Sequence, residues 1–251
     1  SPTDYYLAGR EVSPALVGLS AVATNNSGYM FIGVIGFTYT TGVSAAWLMV
    51  GWIVGDFLAS MFIHRRIRVQ TELRHEITFG GMLSRWDGAD FRVLRRVAAA
   101  LTVVFLGAYA AAQLSAGGKA LQAVFGWDPR SGAILVAVAV AIYCLAGGIR
   151  ASIWTDAVQS AIMLVGMAIL LTVAFDALGG MSAIIQAMSD IPGFLDPFPG
   201  DLLIPGALGA ALFVIGWVFA GFSVVGQPHI MVRFMALDNP DNLSKARWYY
   251  Y

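Results

Sequence analysis

The residues best placed to do chemistry are Thr24, Asn25, Asn26, Ser27, Gly28 and Tyr29, which follow one another about halfway along an apolar stretch from near Ser13 to near Tyr39. Successive side chains on an α-helix stand ~100° apart, so a regular helix would aim some of these polar groups at an apolar surround. Such a group left unsatisfied in lipid costs several kcal/mol and persists mainly where it is paired or lines a cavity. A break in the helix removes the conflict. Unwinding around Asn25 to Gly28 frees carbonyl oxygens to hold a hard cation such as Na⁺, and turns half-helix N–H groups toward an anionic group of a small solute. The competing reading is a Ser/Asn-type contact that glues neighbouring helices together.

A few other polar groups lie inside apolar stretches. Asp156 sits about one turn into the stretch that begins at Ser152, and Gln159 follows one turn later on the same face. A carboxylate at that depth is either paired with a cation or wetted near the interface. Asp56, two turns before the basic cluster His64, Arg65, Arg66 and Arg68, has no partner that the sequence names. Tyr109 and Gln113 are one turn apart and suit a cavity wall, although a tyrosine at depth also packs well. Trp217 lies in a stretch with Gly216, Gly221 and then Gly226-Gln227-Pro228-His229, a spacing that permits either a second interrupted helix or an ordinary kink. His64, His75 and His229 lie at or near stretch ends, with no Ser/His or His-x-x-x-His pattern at depth, which disfavours an intramembrane enzyme. The one cysteine, Cys144, offers neither a disulfide nor a cysteine metal site.

The elements that must position these groups follow from composition. Hydrophobic residues make up 58% of the chain and charged ones 12%, with a mean hydropathy of +0.72; a soluble domain carries about 25% charged residues. The ~20 residues a helix needs to cross the hydrocarbon core are available about six times. The expected spans run from near Ser13 to near Tyr39, Gly42 to Ile63, after Arg96 to Gly118, Ser131 to Leu145, Ser152 to Phe175, and Ile204 to about Ile230. A polar loop is expected over Val69 to Phe91, and a loop rich in aspartate and proline over 176–203. If the spans alternate, Arg10, the 64–96 segment, Arg150, Arg233, Lys245 and Arg247 share one side, and enrichment in Lys and Arg makes that side cytoplasmic. Loop 64–96 and residues after 231 are therefore expected inside, with the first span running inside to outside. A net charge of zero argues against a nucleic-acid partner. The fold class is an all-α polytopic membrane protein in the cell inner (plasma) membrane.

Several blocks carry a resemblance. Asp4-Tyr5-Tyr6-Leu7-Ala8-Gly9-Arg10, Ser27-Gly28, Trp154-Thr155-Asp156-Ala157-Val158-Gln159, and Gly226-Gln227-Pro228-His229-Ile230 with Arg233-Phe234-Met235-Ala236 together resemble the sodium:solute symporter family. The likeness is strongest to its proline carriers and covers essentially the whole chain in order. It implies an inverted-repeat, LeuT-like core whose first and sixth helices are broken. It also implies sodium-coupled symport of proline or a related amino acid or organic solute by alternating access, with Na⁺ as coupling ion and no other cofactor. The family's sodium site carries over to backbone oxygens of Ala23 and Asn26, beside an acidic position that is Asn25 here; an amide offers an oxygen without the charge. Asp156 matches a residue that supports sodium coupling. The solute site carries over to Ser27, Gly28, Tyr29, Tyr109 and Trp217. Tyr29 replaces a family Trp, and Trp217 falls about a turn early. Hydroxyls that complete the sodium site belong to a helix beyond Tyr251. Residues 1–251 are thus expected to be the first repeat plus the first helix of the second, Ser1 reads as a cut end, and the chain alone is not expected to transport. Two rival readings share these helices. One is a proton-coupled symporter using Asp156 or Asp56, and the other is a transporter-like sensor that binds solute to drive a signalling domain.

Overall fold

The structure is a computed structural model that describes residues 1–31 and 33–251, with only the backbone of Phe31. Ile32, inside the first expected span, lies outside the described residues. Apart from one two-residue hairpin the regular elements are helical.

After the short helix α1 (Pro2–Leu7), α2 (Pro14–Asn25) starts where Ser13 is extended and Pro14 takes the first turn, which needs no N–H donor. It stops because Asn26 is extended (φ −80°, ψ 103°); the chain becomes helical again in α3 (Gly28–Phe31) and continues in α4 (Gly33–Thr41). The first expected span is therefore interrupted within the Asn25–Gly28 segment. A 3₁₀ turn, Gly42–Ala45, leads into α5 (Ala46–Leu73), which overruns its expected end at Ile63 by ten residues. Hydropathy ends there, but Arg, Gln, Glu and Leu are good helix formers, and Arg68 and Glu72 pair at 2.6 Å across one turn. The expected loop 69–91 is correspondingly structured: α6 (Phe79–Leu83) precedes the hairpin β1 (Arg85–Trp86) and β2 (Ala89–Asp90), in which Arg85 faces Asp90.

Helix α7 (Arg92–Phe125) extends the third span at both ends and closes at Gly126, whose φ of +70° is a left-handed cap. The fourth and fifth spans are two helices that meet at Gly148 (φ 55°, ψ −146°) with no loop between them, and are labelled together as α8 (Pro129–Ala177). Only glycine adopts that conformation readily, and a Cβ there would also strike the Tyr5 carbonyl. Next come α9 (Met181–Ser189) and α10 (Ala207–Phe222), then a 3₁₀ turn at Ser223–Gly226 and extended Gln227. Helices α11 (Pro228–Met235) and α12 (Leu243–Tyr250) complete the chain, so the sixth span is interrupted too.

The chain forms two units: 1–28 with 60–157 and 225–251, and 29–59 with 158–224. In the first, Val17, Ala21, Ile153, Ile230, Met231, Phe234, Met235 and Ala246 are buried. Gly18 lets α2 approach α12 closely, because a Cβ there would meet the Ala246 carbonyl and the Tyr249 side chain. The segment before α2 pairs with the one after α11: Val12 N–H donates to Ala236 at 3.2 Å and Asp238 N–H to Val12 at 3.0 Å. Arginines read in the sequence as markers of sidedness pin this junction. Arg10 donates to the Met235 and Glu76 carbonyls, each at 3.0 Å, and to Thr71 Oγ1 at 3.2 Å. Arg68, 2% exposed, donates to the Leu237 carbonyl at 2.6 Å and to that of Asp238 at 3.2 Å. Burial, and secondarily the charge of Arg68, lower the Arg10 pKa from the ordinary arginine value.

In the second unit, α5 and α10 cross on small residues. A Cβ on Gly51 would meet Trp217, one on Gly55 the Val218 carbonyl, and one on Gly221 the Trp52 carbonyl. Such contacts let helix backbones pack where lipid gives no hydrophobic drive. Asp56, 1% exposed, is buried at this crossing. Trp47 stacks on Phe198 at 5.6 Å and donates to the Pro197 carbonyl at 2.8 Å. Along α7 and α8 large apolar side chains face outward, among them Val103 (73% exposed) and Leu164 (70%). A surface of that kind suits lipid or further helices.

Candidate functional site

At the α2 break Thr24, Asn25, Ser27 and Gly28 each find a different neighbour. Gly28 N–H, which in a continuous helix would bond the Thr24 carbonyl, donates instead to Gln113 Oε1 of α7 at 2.7 Å. Glycine permits that approach: a Cβ would lie 2.9 Å from Ala116 Cβ and 3.2 Å from Gln113 Oε1. The Ser27 and Tyr109 side chains hydrogen-bond each other, and the Tyr109 ring lies 5.2 Å from that of His229. Asn25 Nδ2 donates to Tyr250 Oη of α12 at 2.9 Å. Thr24 Oγ1 donates to Asp156 Oδ2 at 3.3 Å. Break and glue, alternatives in the sequence, are both present. The last carbonyls of α2, those of Ala23 and its neighbours, meet the interruption where helical donors run out.

Asp156 is paired. Its Oδ2 accepts from Arg233 Nη2 at 3.0 Å and from Ser20 Oγ at 2.8 Å, with side chains 16% and 9% exposed for the aspartate and arginine. Arg233 also donates to Ser20 Oγ at 3.2 Å, to Ser152 Oγ at 3.1 Å and to the His229 carbonyl. One ion pair thus ties α2, α8 and α11. The sequence offered a cation or water for Asp156, and the structure supplies Arg233, 77 residues away. Neither Ser20 nor Arg233 stood out as a functional residue, because a partner on another helix leaves no local spacing to read.

The first unit therefore brings together Ser27, Gly28, Tyr109 and Gln113 at the break, with Asn25 and Asp156 each engaged by a named partner. Tyr29 and Trp217 belong to the second unit. There the Tyr29 ring covers Gly33, and Trp217 packs edge-on between Phe37 at 6.3 Å and Phe213 at 6.2 Å. Among the described residues no three His, Cys, Asp or Glu side chains converge on a metal-sized site. A cation at the break would be held by carbonyl, amide and hydroxyl oxygens, a donor set that suits a hard ion.

Comparison with known proteins agrees with this geometry. The chain is 31% identical over 247 residues to the high-affinity proline transporter PutP of Bacillus subtilis (strain 168), covering 98% of this chain and 50% of that one. It is 34% identical over 246 residues to a sodium/proline symporter of Staphylococcus aureus, covering 98% and 47%. The chain spans about half the length of the curated relatives it matches. Its fold is similar to that of a Na⁺-coupled sialic acid symporter solved in a substrate-bound outward-open state, with a TM-score of 0.78, 22% identity, and coverage of 99% of this chain and 50% of that one. That likeness agrees with an all-helical membrane fold of the LeuT-like class with interrupted first and sixth helices. The sodium:solute symporter family profile matches residues 5–250; this multi-pass membrane chain belongs to that family.

Proposed function

We propose that residues 1–251 are the first repeat and first helix of the second repeat of a sodium-coupled symporter in the plasma membrane. Its solute is proline or a related amino acid or organic solute, moved by alternating access. The observation that carries this reading is the diversion of Gly28 N–H to Gln113, which interrupts α2 at mid-span and leaves its last carbonyls without helical donors. Backbone oxygens of Ala23 and Asn26 take Na⁺, with the Asn25 amide beside them. Ser27, Gly28 and Tyr109 contact solute, and Tyr29 and Trp217 join them by the family pattern. Asp156, neutralised by Arg233, acts on coupling only when that pair opens. The 64–96 segment and the residues after 231 face the cytoplasm. The names of the proline-carrying relatives support the solute assignment.

The test is uptake of labelled proline by the full-length protein in proteoliposomes, under an inward Na⁺ gradient or a matched K⁺ gradient. Accumulation is expected with Na⁺ alone and is lost in Ser27→Leu. Uptake that ignores Na⁺ and follows a pH gradient would instead assign coupling to the buried carboxylates Asp56 or Asp156. No uptake at all would reopen the solute and the sensor reading.

A further inference from the structure

We propose that Tyr250 is a positioning residue for the cation site, holding the Asn25 amide in the orientation that site requires. The inference rests on the symport reading above. Asn25 is the last residue of α2 before the break, and its Nδ2 donates to Tyr250 Oη at 2.9 Å. An amide has a donor end and an acceptor end on one rigid plane. With Nδ2 committed to the phenol, Oδ1 is held on the opposite end of that plane, as an oxygen available to a cation. An aspartate would need no such anchor, since either oxygen serves and both share the charge. An uncharged amide gives a hard cation one oxygen, so its orientation matters more.

The phenol is in turn fixed. Tyr250 is 5% exposed and meets Phe234 edge-on at 5.7 Å. Phe234 stacks on the fully buried His64 at 3.8 Å, and His64 lies 6.4 Å from the Tyr250 ring. No hydrogen-bond partner reaches either His64 ring nitrogen among the described residues, so the imidazole serves this stack as a packed ring. Gly18, two turns before Asn25 on the same face, holds α2 against α12. Any displacement of α12 therefore reaches Asn25 through a short, packed path, and the cation site becomes sensitive to a residue outside its coordination shell.

The half-saturating Na⁺ concentration for proline uptake by the full-length protein tests this. Tyr250→Phe keeps the ring and removes the hydroxyl. It is expected to raise half-saturating Na⁺ by about three- to tenfold, as loss of one hydrogen bond does, while the proline KM at saturating Na⁺ stays within about twofold. Asn25→Ala is expected to raise half-saturating Na⁺ likewise, and adding Tyr250→Phe to it to change nothing further. A Tyr250→Phe protein whose Na⁺ dependence matches the parent, or effects that multiply in the double variant, would overturn the inference while leaving symport intact. A parent indifferent to Na⁺ would overturn both. Should Tyr250→Phe fail to reach the membrane, Asn25→Ala alone still tests the inference: half-saturating Na⁺ equal to the parent's would equally reject it.

Discussion

A carboxylate inside a membrane helix is tolerable only with company, and Asp156 has one guanidinium and two close hydroxyls, those of Ser20 and Thr24. Asp156→Ala or Arg233→Ala leaves the other charge buried and is expected to cost about 3–5 kcal/mol, read as thermal stability in detergent. The double change Asp156→Ala/Arg233→Ala is expected to cost less than the sum of the two, since no charge is then stranded. Additive losses would show that the pair is worth nothing as a pair. At this scale the sequence was partly legible. Four adjacent polar residues, Thr24 to Ser27, followed by Gly28 and Tyr29 in an apolar run announced that regular helix geometry could not hold. Which neighbours met Thr24, Asn25, Ser27 and Gly28 did not show, because Asp156, Tyr250, Tyr109 and Gln113 are brought in by tertiary packing across tens to hundreds of positions.

Among the elements, the interruptions in α2 and before α11 matched the expectation, whereas the ends of helices did not. Hydropathy reports where lipid stops, and helices end where backbone capping stops them. Hence α5 passes the basic cluster to Leu73, and the two arms of α8 shorten the expected 146–151 connection to the kink at Gly148. The glycine there is required by its φ of 55° as well as by the Tyr5 carbonyl it faces. Gly148→Ala is expected to destabilise the full-length protein by on the order of 1–3 kcal/mol. A melting temperature equal to the parent's would mean that the bend tolerates a Cβ.

At the scale of the whole molecule, the distribution of Lys and Arg predicts sidedness, and labelling can check it. With Cys144 replaced by alanine, a cysteine at exposed Trp86 in the hairpin is expected to react with impermeant thiol reagents only from the cytoplasmic side. One at Asp201, in the aspartate-rich segment, is expected to react only from outside. Reversed labelling would invert the topology without touching the fold.

Arg10 and Arg68 carry a consequence beyond sidedness. Arg68 spreads its N–H donors over the Leu237 and Asp238 carbonyls that follow α11, and Arg10 spreads its own over the Met235 carbonyl that ends α11 and the Glu76 carbonyl. A lysine would keep the charge that the insertion machinery counts, but it presents one ammonium where a planar fork is needed. Replacing either arginine by lysine thus separates two messages written in one letter: how the chain is threaded, and how it sets once threaded. Such a protein would insert the right way round and then come apart at the seam between the segment before α2 and the one after α11.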